Sequence, residues 1–350
     1  MKQLLIIGNL INGDDSINGQ TLKTKNYISA FKEYGYEVGI FDTCGYSKRP
    51  LTKTLDLFFK IRKFKTIIML PDINGMRFLS TFIPFAKKKK TQVYYSVVGG
   101  WLPSFVATHE KFIKRLNRLN GIFVENNNMK ENLQFNGVQN VYIVNNFKIY
   151  KKNDENDINY ESFCSKRHSF CFFSRIDVEK GTKEMIDAIE IVNKKGFNVH
   201  LDIYGPIFQE YRNDFLNSIN RLKDNISYKG IGDPDLAPSI ISSYYMQLFP
   251  TRCPTEGIPG SIIDSFAAGV PIISTLWNPK FPLVKNLING LIVEMDSAED
   301  IAEKIIYAIE NPRTIYKMHQ NCLNIFKLEY DYHLIMKKMI DIISEDEKGI

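Results

Sequence analysis

The 350-residue sequence is poor in the residues from which metal centres and disulfide frameworks are built. It has five cysteines, Cys44, Cys164, Cys171, Cys253 and Cys322, an odd number without a C-x-x-C pair. Neither a disulfide framework nor a zinc site is expected, and the pattern suits a reducing cytoplasm. Five histidines occur without an H-E-x-x-H or similar cluster, so no protein-built metal site is expected. No apolar run reaches the roughly 18–20 residues of a membrane-spanning helix. The opening MKQLLIIGNLING lacks the apolar core of roughly 7–15 residues and the small-residue cleavage site of a secretory leader. There is no internal repeat, and the one low-complexity run is Lys87–Lys90.

What is present is ordinary for a globular protein: 44% apolar and 24% charged residues, which excludes a disordered or fibrous chain. The length exceeds what one compact core usually holds, so two domains are expected. The net charge of +6 is unevenly divided. Residues 1–150 carry 22 Lys and Arg against 10 Asp and Glu, a balance of +12; residues 151–350 carry 23 against 29, a balance of −6. A basic half can meet nucleic acid, an anionic membrane or a phosphorylated ligand.

Short apolar runs alternate with helical stretches. Strands are predicted over 4–8, 37–42, 66–70, 93–98, 121–126 and 141–146, with a helix over Asn18–Tyr34 stopped by Gly35. A polar stretch without periodicity, 148–168, reads as a linker. A second series follows, with strands over 170–175, 199–205, 226–230, 246–250, 271–275 and 291–295. Helices are predicted over Lys183–Lys195, Arg212–Leu222, Ser261–Ala268 and Ala298–Ile309, and the amphipathic stretch Tyr332–Ile343 closes the chain. Strand–helix alternation argues for α/β domains with doubly wound parallel sheets. Two such domains make a cleft, and ligands bind beyond the carboxyl ends of their strands.

Three motifs fall at those strand ends. The first is Pro254-Thr-Glu-Gly-Ile-Pro-Gly-Ser-Ile-Ile-Asp264, followed by Ser-Phe-Ala-Ala-Gly269-Val-Pro271. A helix starting near Gly260–Ser261 offers unpaired N–H groups and a positive dipole end to a phosphate. Glu256 before the helix and Asp264 a turn into it can grip hydroxyls at two ends of an extended ligand. The second is Ser174-Arg175-Ile-Asp-Val-Glu-Lys180-Gly181, whose two cations can reach one diphosphate. The third, Gly13-Asp-Asp-Ser-Ile-Asn-Gly19-Gln20, is neither a G-x-G-x-x-G nor a Walker loop, and reads equally as a plain strand-to-helix loop.

Together, in this order, these motifs resemble family 4 of the retaining glycosyltransferases, the glycosyl transferases group 1, which have the GT-B fold. ISYKGIGDPDLAPSIISSYYMQLFPT is similar to the stretch that precedes the family's E-x7-E motif, and NLINGLIVE to the segment that follows it. GIFVENNNMKENLQFNGVQNVYIVNN resembles the end of the family's first domain, so the likeness covers most of the chain and is most specific over 170–310. It implies two Rossmann-like domains: an acceptor domain over 1–150, a linker over 151–168, a donor domain over 169–330 and a C-terminal helix over 331–350 that can pack back on the first domain. It implies a metal-independent transferase without cofactor. The sugar moves from a nucleotide diphosphate sugar, UDP-linked by preference, to a hydroxyl of a glycan or polyprenyl-diphosphate-linked acceptor, in bacterial capsule or lipopolysaccharide synthesis.

By position, Arg175 and Lys180 are expected to bind the donor diphosphate, and Glu256 the hydroxyls of the transferred sugar. Ile258, Pro259, Gly260 and Ser261 are expected to present backbone to sugar or phosphate, and Asp264 to hold the ribose. Gly19 lies near the donor phosphate or the acceptor; Gly205 and Gly230 complete the donor-binding set. Asp264 stands where the family has Glu, one methylene longer. Many relatives place a His after a first-domain strand, where this chain reads SVVGGWLP (96–103); His109 is not assigned, and Trp101 suits either a sugar or the core. These departures leave open a non-catalytic glycan-binding partner, and the shared fold leaves a GT-B-fold nucleotide-sugar epimerase as a second alternative.

Lys87–Lys90 after Phe82-Ile-Pro-Phe-Ala, and the basic stretch Phe112–Leu119, suggest an anionic membrane surface and a peripheral cytoplasmic location. No nucleic-acid-binding motif accompanies the charge, so nucleic acid is not expected. Asp233-Pro-Asp235 invites a D-x-D metal reading, but no metal role is expected, because the GT-B resemblance implies that cations take the metal's place at the diphosphate.

Overall fold

The structure, a computed structural model, describes residues 2–10, 19–151 and 158–348. Residues 13–18 of the first glycine-bearing loop and 152–157 of the linker lie outside the described residues. The chain divides into two compact units. The first comprises Met1–Ile149, Thr255–Ile258 and Tyr330–Ile350; the second comprises Tyr150–Pro254 and Pro259–Glu329.

The first unit runs β1 (Gln3–Gly8), α1 (Gly19–Glu33), β2 (Glu37–Asp42), α2 (Pro50–Lys63), β3 (Thr66–Met69), α3 (Ile73–Ala86), β4 (Gln92–Ser96), α4 (Leu102–Thr108), α5 (Glu110–Leu116), β5 (Gly121–Val124), α6 (Asn127–Phe135) and β6 (Val141–Ile143). Its strands form a parallel sheet in the order β2-β1-β3-β4-β5-β6. Successive strand side chains face opposite ways, so β1 serves two cores. Leu5 and Ile7 pack with Leu57 and Ile61 of α2 and Met76, Leu79 and Ile83 of α3. Leu4 and Ile6 pack with Tyr27, Ile28 and Phe31 of α1.

The second unit runs α7 (Tyr160–Cys164), β7 (Ser169–Phe173), α8 (Thr182–Lys194), β8 (His200–Tyr204), α9 (Arg212–Arg221), β9 (Ile226–Tyr228), α10 (Ala237–Ile241), β10 (Met246–Phe249), α11 (Gly260–Ala267), β11 (Ile272–Thr275), β12 (Gly290–Val293), α12 (Ala298–Glu310) and α13 (Pro312–Ile325). Its parallel sheet has the order β12-β11-β10-β7-β8-β9. Phe170 and Phe172 of β7 enter one core with α8 and α12, and Cys171 between them faces the other with Ala237 and Ile241 of α10. The final helix, α14 (Tyr332–Lys348), belongs to the first unit. Its Ile335, Met336, Met339 and Ile343 join the α1 core, and the Tyr94 hydroxyl donates to Asp346 at 2.6 Å.

Two differences from the sequence reading matter. The strands expected over 93–98, 121–126 and 141–146 end at Ser96, Val124 and Ile143. Just past these ends the Val97 and Val144 N–H groups still donate to the Phe123 and Val124 carbonyls, at 2.9 and 2.8 Å, while Glu125 and Asn146 bond away from the sheet. The linker contains α7, five residues capped by the Asn159 side chain and anchored by buried Phe163. A helix that short shows no periodicity.

Candidate functional site

In the second unit, β7 and β10 are hydrogen-bonded neighbours, so the loops that leave their carboxyl ends start side by side. The loop after β7 is built around Asp177. Its Oδ1 accepts the Lys180 backbone N–H at 3.0 Å, its Oδ2 accepts from Arg175 Nε, and its carbonyl accepts from the Thr182 hydroxyl at 2.9 Å. Gly181 follows with φ +68°, and a Cβ there would lie 2.2 Å from the Pro250 carbonyl oxygen, so glycine is required on both counts. The Glu179 carbonyl accepts the Arg252 N–H at 2.9 Å, tying this loop to the one after β10.

Lys180 is buried, with its Nζ 5.3 Å from the centre of the Phe249 ring. Burial pulls its pKa below the ordinary lysine range, and the nearby Arg175 charge adds to that; Cys253, Asp177 and Glu179 oppose it. The net fall shows that desolvation and the second cation outweigh the acids around it, so an added anion would stabilise the charged amine. Arg175 is half exposed and lies over Phe208, 5.9 Å from the ring centre.

α11 begins at Gly260 behind extended Pro259, with no side-chain cap. The Ile262 N–H bonds back to the Pro259 carbonyl at 3.1 Å, and helix geometry leaves the Gly260 and Ser261 N–H groups without intrahelical acceptors. The Ser261 hydroxyl oxygen is buried and makes no hydrogen bond among the described residues. Asp264 is 1% exposed, and its Oδ1 accepts the Tyr150 hydroxyl at 2.8 Å. Burial and the Asp264 charge hold the Tyr150 phenol well above its usual range, so it stays protonated and donates. A ligand hydroxyl would have to share this oxygen with Tyr150.

The glycines divide by role. A Cβ on Gly205, at φ +143°, would lie 1.9 Å from the Ser174 carbonyl oxygen, so its absence lets the end of β8 pass the Arg175 loop. Gly230 has φ +78° and open space, and Gly19 at the start of α1 has nothing near its Cβ position. Asp233 caps its own turn through the Asp235 N–H at 2.9 Å, and Asp235 pairs with Lys151 at 2.8 Å. Among the described residues no group of three or more His, Cys, Asp or Glu is placed to hold a metal ion.

Glu256 and its neighbours belong to the first unit, which grips the Thr255–Ile258 backbone at three points. Gly100 N–H donates to the Thr255 carbonyl at 3.0 Å, Asn146 Nδ2 donates to the Ile258 carbonyl at 3.0 Å, and the Ile258 N–H donates to Glu125 Oε2 at 2.7 Å. The other Glu125 oxygen accepts from Lys23 Nζ at 2.6 Å, and Lys23 also donates to the Val97 carbonyl at 2.7 Å. Both side chains of this ion pair are at most 4% exposed. Gly257 has no room for a Cβ, which would meet Glu125 Oε2 at 2.2 Å. Gly99 and Gly100, where the family resemblance calls for a His, back this loop: a Cβ on Gly100 would come within 3.1 Å of the Glu256 carbonyl oxygen.

Sequence reasoning did not single out Lys23, Glu125 or Tyr150. The signal for Glu125 was a carboxylate closing the apolar run GIFV, a placement that demands a partner. Trp101 packs edge-on against Phe105 beside the first core, and His109 stacks on Phe105 at 4.0 Å between α4 and α5.

Residues 167–311 match the family model described as Glycosyl transferases group 1. The capsular polysaccharide biosynthesis glycosyltransferase CapM of Staphylococcus aureus is 28% identical over 161 residues, 45% of this chain and 41% of that protein. Anabaena HepE, solved with UDP-glucose, superposes with a TM-score of 0.76 at 14% identity over 99% of this chain and 100% of its own. Staphylococcus aureus TarM, solved with UDP, superposes with a TM-score of 0.64 at 19% identity, covering 83% of this chain and 57% of its own. Two six-stranded parallel sheets flanked by helices, each with its loops at the strands' carboxyl ends, give this chain the fold of the GT-B glycosyltransferases.

Proposed function

We propose that this protein is a metal-independent retaining glycosyltransferase that moves a sugar from a UDP-sugar to a hydroxyl of a glycan or polyprenyl-diphosphate-linked acceptor, in the synthesis of a bacterial surface polysaccharide such as a capsule. The observation that carries the reading is the loop pair after β7 and β10. There the buried Lys180, the Arg175 fork and the open start of α11 lie on one strand edge, within the stretch that matches the family model. A diphosphate brings to this edge the negative charge that two cations and a helix start favour. As the sugar–phosphate bond breaks, charge develops on the leaving phosphate, and these fixed donors stabilise it more than the ground state. Glu256, on a loop whose backbone is held at three points, grips hydroxyls of the transferred sugar. The loop pair after β7 and β10 presents cations and backbone N–H groups rather than a convincing side-chain nucleophile. Retention then follows from attack on the leaving group's own face, with the departing phosphate oxygen taking the acceptor proton.

The test is turnover across UDP-, GDP- and ADP-sugars with NMR assignment of the product anomer. Arg175→Ala and Lys180→Ala are each expected to lower UDP-sugar turnover by about 10²-fold or more. Near-normal turnover in both, or an inverted product, refutes the assignment. One observation favours a second reading, a non-catalytic glycan-binding partner: Asp264 is engaged by Tyr150 inside the fold. Turnover of no nucleotide sugar, together with retained UDP binding, selects it.

A further inference from the structure

On α2, Leu51, Leu55 and Phe59 are 81%, 60% and 67% exposed. They are spaced one turn apart, so they form a single line about 12 Å long on one face of the helix. Only Leu57 and Ile61 of this helix are buried, on its opposite side. Three large apolar side chains left in line on a water-facing surface mark a contact site.

The charge around the line says what kind. Between positions 48 and 63 the chain carries Lys48, Arg49, Lys53, Lys60, Arg62 and Lys63 against the single acid Asp56. Lys53, Lys60, Arg62 and Lys63 each lie over a phenylalanine ring, at 5.3–5.9 Å from its centre. The last turn of α2 also meets a second basic run. Thr66 of β3 is paired with Gln92 of β4, and the Gln92 N–H donates to the Lys65 carbonyl at 2.8 Å. Lys65 after α2 and exposed Lys88, Lys89 and Lys90 after α3 therefore precede the amino-terminal ends of neighbouring strands, and Phe85 in the last turn of α3 is 82% exposed.

We propose that α2 docks this protein on an anionic lipid bilayer, with Leu51, Leu55 and Phe59 in the headgroup–acyl boundary and the Arg62–Lys65 and Lys88–Lys90 cations on lipid phosphates. A helix with an apolar line set among cations is the composition of interfacial membrane elements. Protein interface cores are depleted of lysine instead, and a symmetric pairing of two copies through α2 would set this basic face against itself. The inference deepens the lipid-linked acceptor reading and rests on it for the identity of the partner.

The test is co-sedimentation of the full chain with phosphatidylcholine vesicles, with and without about one-third phosphatidylglycerol. The expected result is binding to the anionic vesicles alone. The triple variant Leu51→Ser, Leu55→Ser, Phe59→Ser is expected to lose about tenfold or more of that partition, with Tm and vesicle-free UDP-sugar turnover unchanged. Lys88→Gln, Lys89→Gln, Lys90→Gln together are expected to weaken binding and flatten its salt dependence. Equal binding to both vesicle types overturns the proposal, as does a triple serine variant that binds like the parent. So does a dimer that the serine variant breaks while no vesicle binding is seen. Vesicle binding by a protein that turns over no nucleotide sugar would count against glycosyl transfer, not against the docking surface.

Discussion

Replacing Glu125 by glutamine tests whether the Glu256 loop is held by charge. Glu125 receives two donors at once, the Lys23 ammonium on one oxygen at 2.6 Å and the Ile258 N–H on the other at 2.7 Å. Glutamine has one acceptor oxygen, and its nitrogen is a donor. Whichever way the amide turns, one of the two existing donors meets an NH2 group. Turned toward Lys23, it leaves the Ile258 N–H without its charged acceptor, a loss of about 1.5–3 kcal/mol. Turned toward Ile258, it leaves a buried ammonium with only the Val97 carbonyl. Breaking a buried pair in that way costs about 3–5 kcal/mol. Lys23 loses its counter-charge in both orientations, so about 3 kcal/mol is the working figure. At about 2–4 °C per kcal/mol for a unit of this size, the first unit should melt roughly 6–12 °C lower.

Thermal unfolding read by intrinsic fluorescence measures this, and UDP-sugar kinetics measures the consequence. Arg175 and Lys180, proposed to hold the diphosphate, are in the second unit, so Glu125→Gln should lower kcat while UDP affinity holds. Lys23→Met should destabilise comparably by stranding the carboxylate. The double variant Lys23→Met, Glu125→Gln should be milder than the sum, because the amide oxygen then accepts from Ile258 with no ammonium to satisfy; the coupling should be about 1–3 kcal/mol. If each single change costs less than about 1 kcal/mol, as for exposed pairs, and the double is additive, the clamp is not what holds the loop.

Two further outcomes follow from the second unit. Lys180 has a folded-state pKa below that of the unfolded chain, so the unfolded state binds more protons between the two values, and the apoprotein should gain stability as pH rises through that window. UDP favours the charged amine, so its affinity should fall as pH rises through the same window; Lys180→Met should raise Tm at neutral pH while weakening UDP binding about tenfold or more. A Tm that falls in this variant, with UDP binding intact by calorimetry, refutes the charge argument. Gly205→Ala should be far more damaging than Gly230→Ala, since the first drives a Cβ to 1.9 Å from the Ser174 carbonyl and the second meets open space. Urea unfolding should show about 1–2 kcal/mol for Gly230→Ala and a greater loss for Gly205→Ala; equal losses would mean that the Ser174 contact is unimportant.

The second unit is more legible in the sequence than the first, and the reason lies in sequence distance. The proposed diphosphate site is assembled from two short segments, 174–181 and 250–264, each of which carries its own glycine and charged groups. The strand FCFF, the Arg175–Gly181 loop after it and the start of α11 at Gly260 can all be read locally; the helix starts where expected, and the strand, expected over 170–175, runs over Ser169–Phe173. What cannot be read locally is which segment stands beside which. Asp264 is assigned to a ribose by the family resemblance; that Tyr150, 114 positions away, donates to it is seen only in the fold.

The first unit shows the same limit more sharply. The Thr255–Ile258 grip joins residues 112 and 133 positions apart, and the Lys23 bonds span 74 and 102. Val97, Glu125 and Asn146 each fall inside an expected strand, because an extended residue after an apolar run looks the same whether or not it stays in the ladder. The distinguishing mark is energetic. A carboxylate in line with GIFV and a lysine between the buried positions of α1 are both too costly to bury alone. Such charges demand partners, but that Lys23 and Glu125, 102 positions apart, meet each other is seen only in the fold. The third partner, the Ile258 amide, leaves no mark in the sequence, because a backbone N–H carries no residue identity.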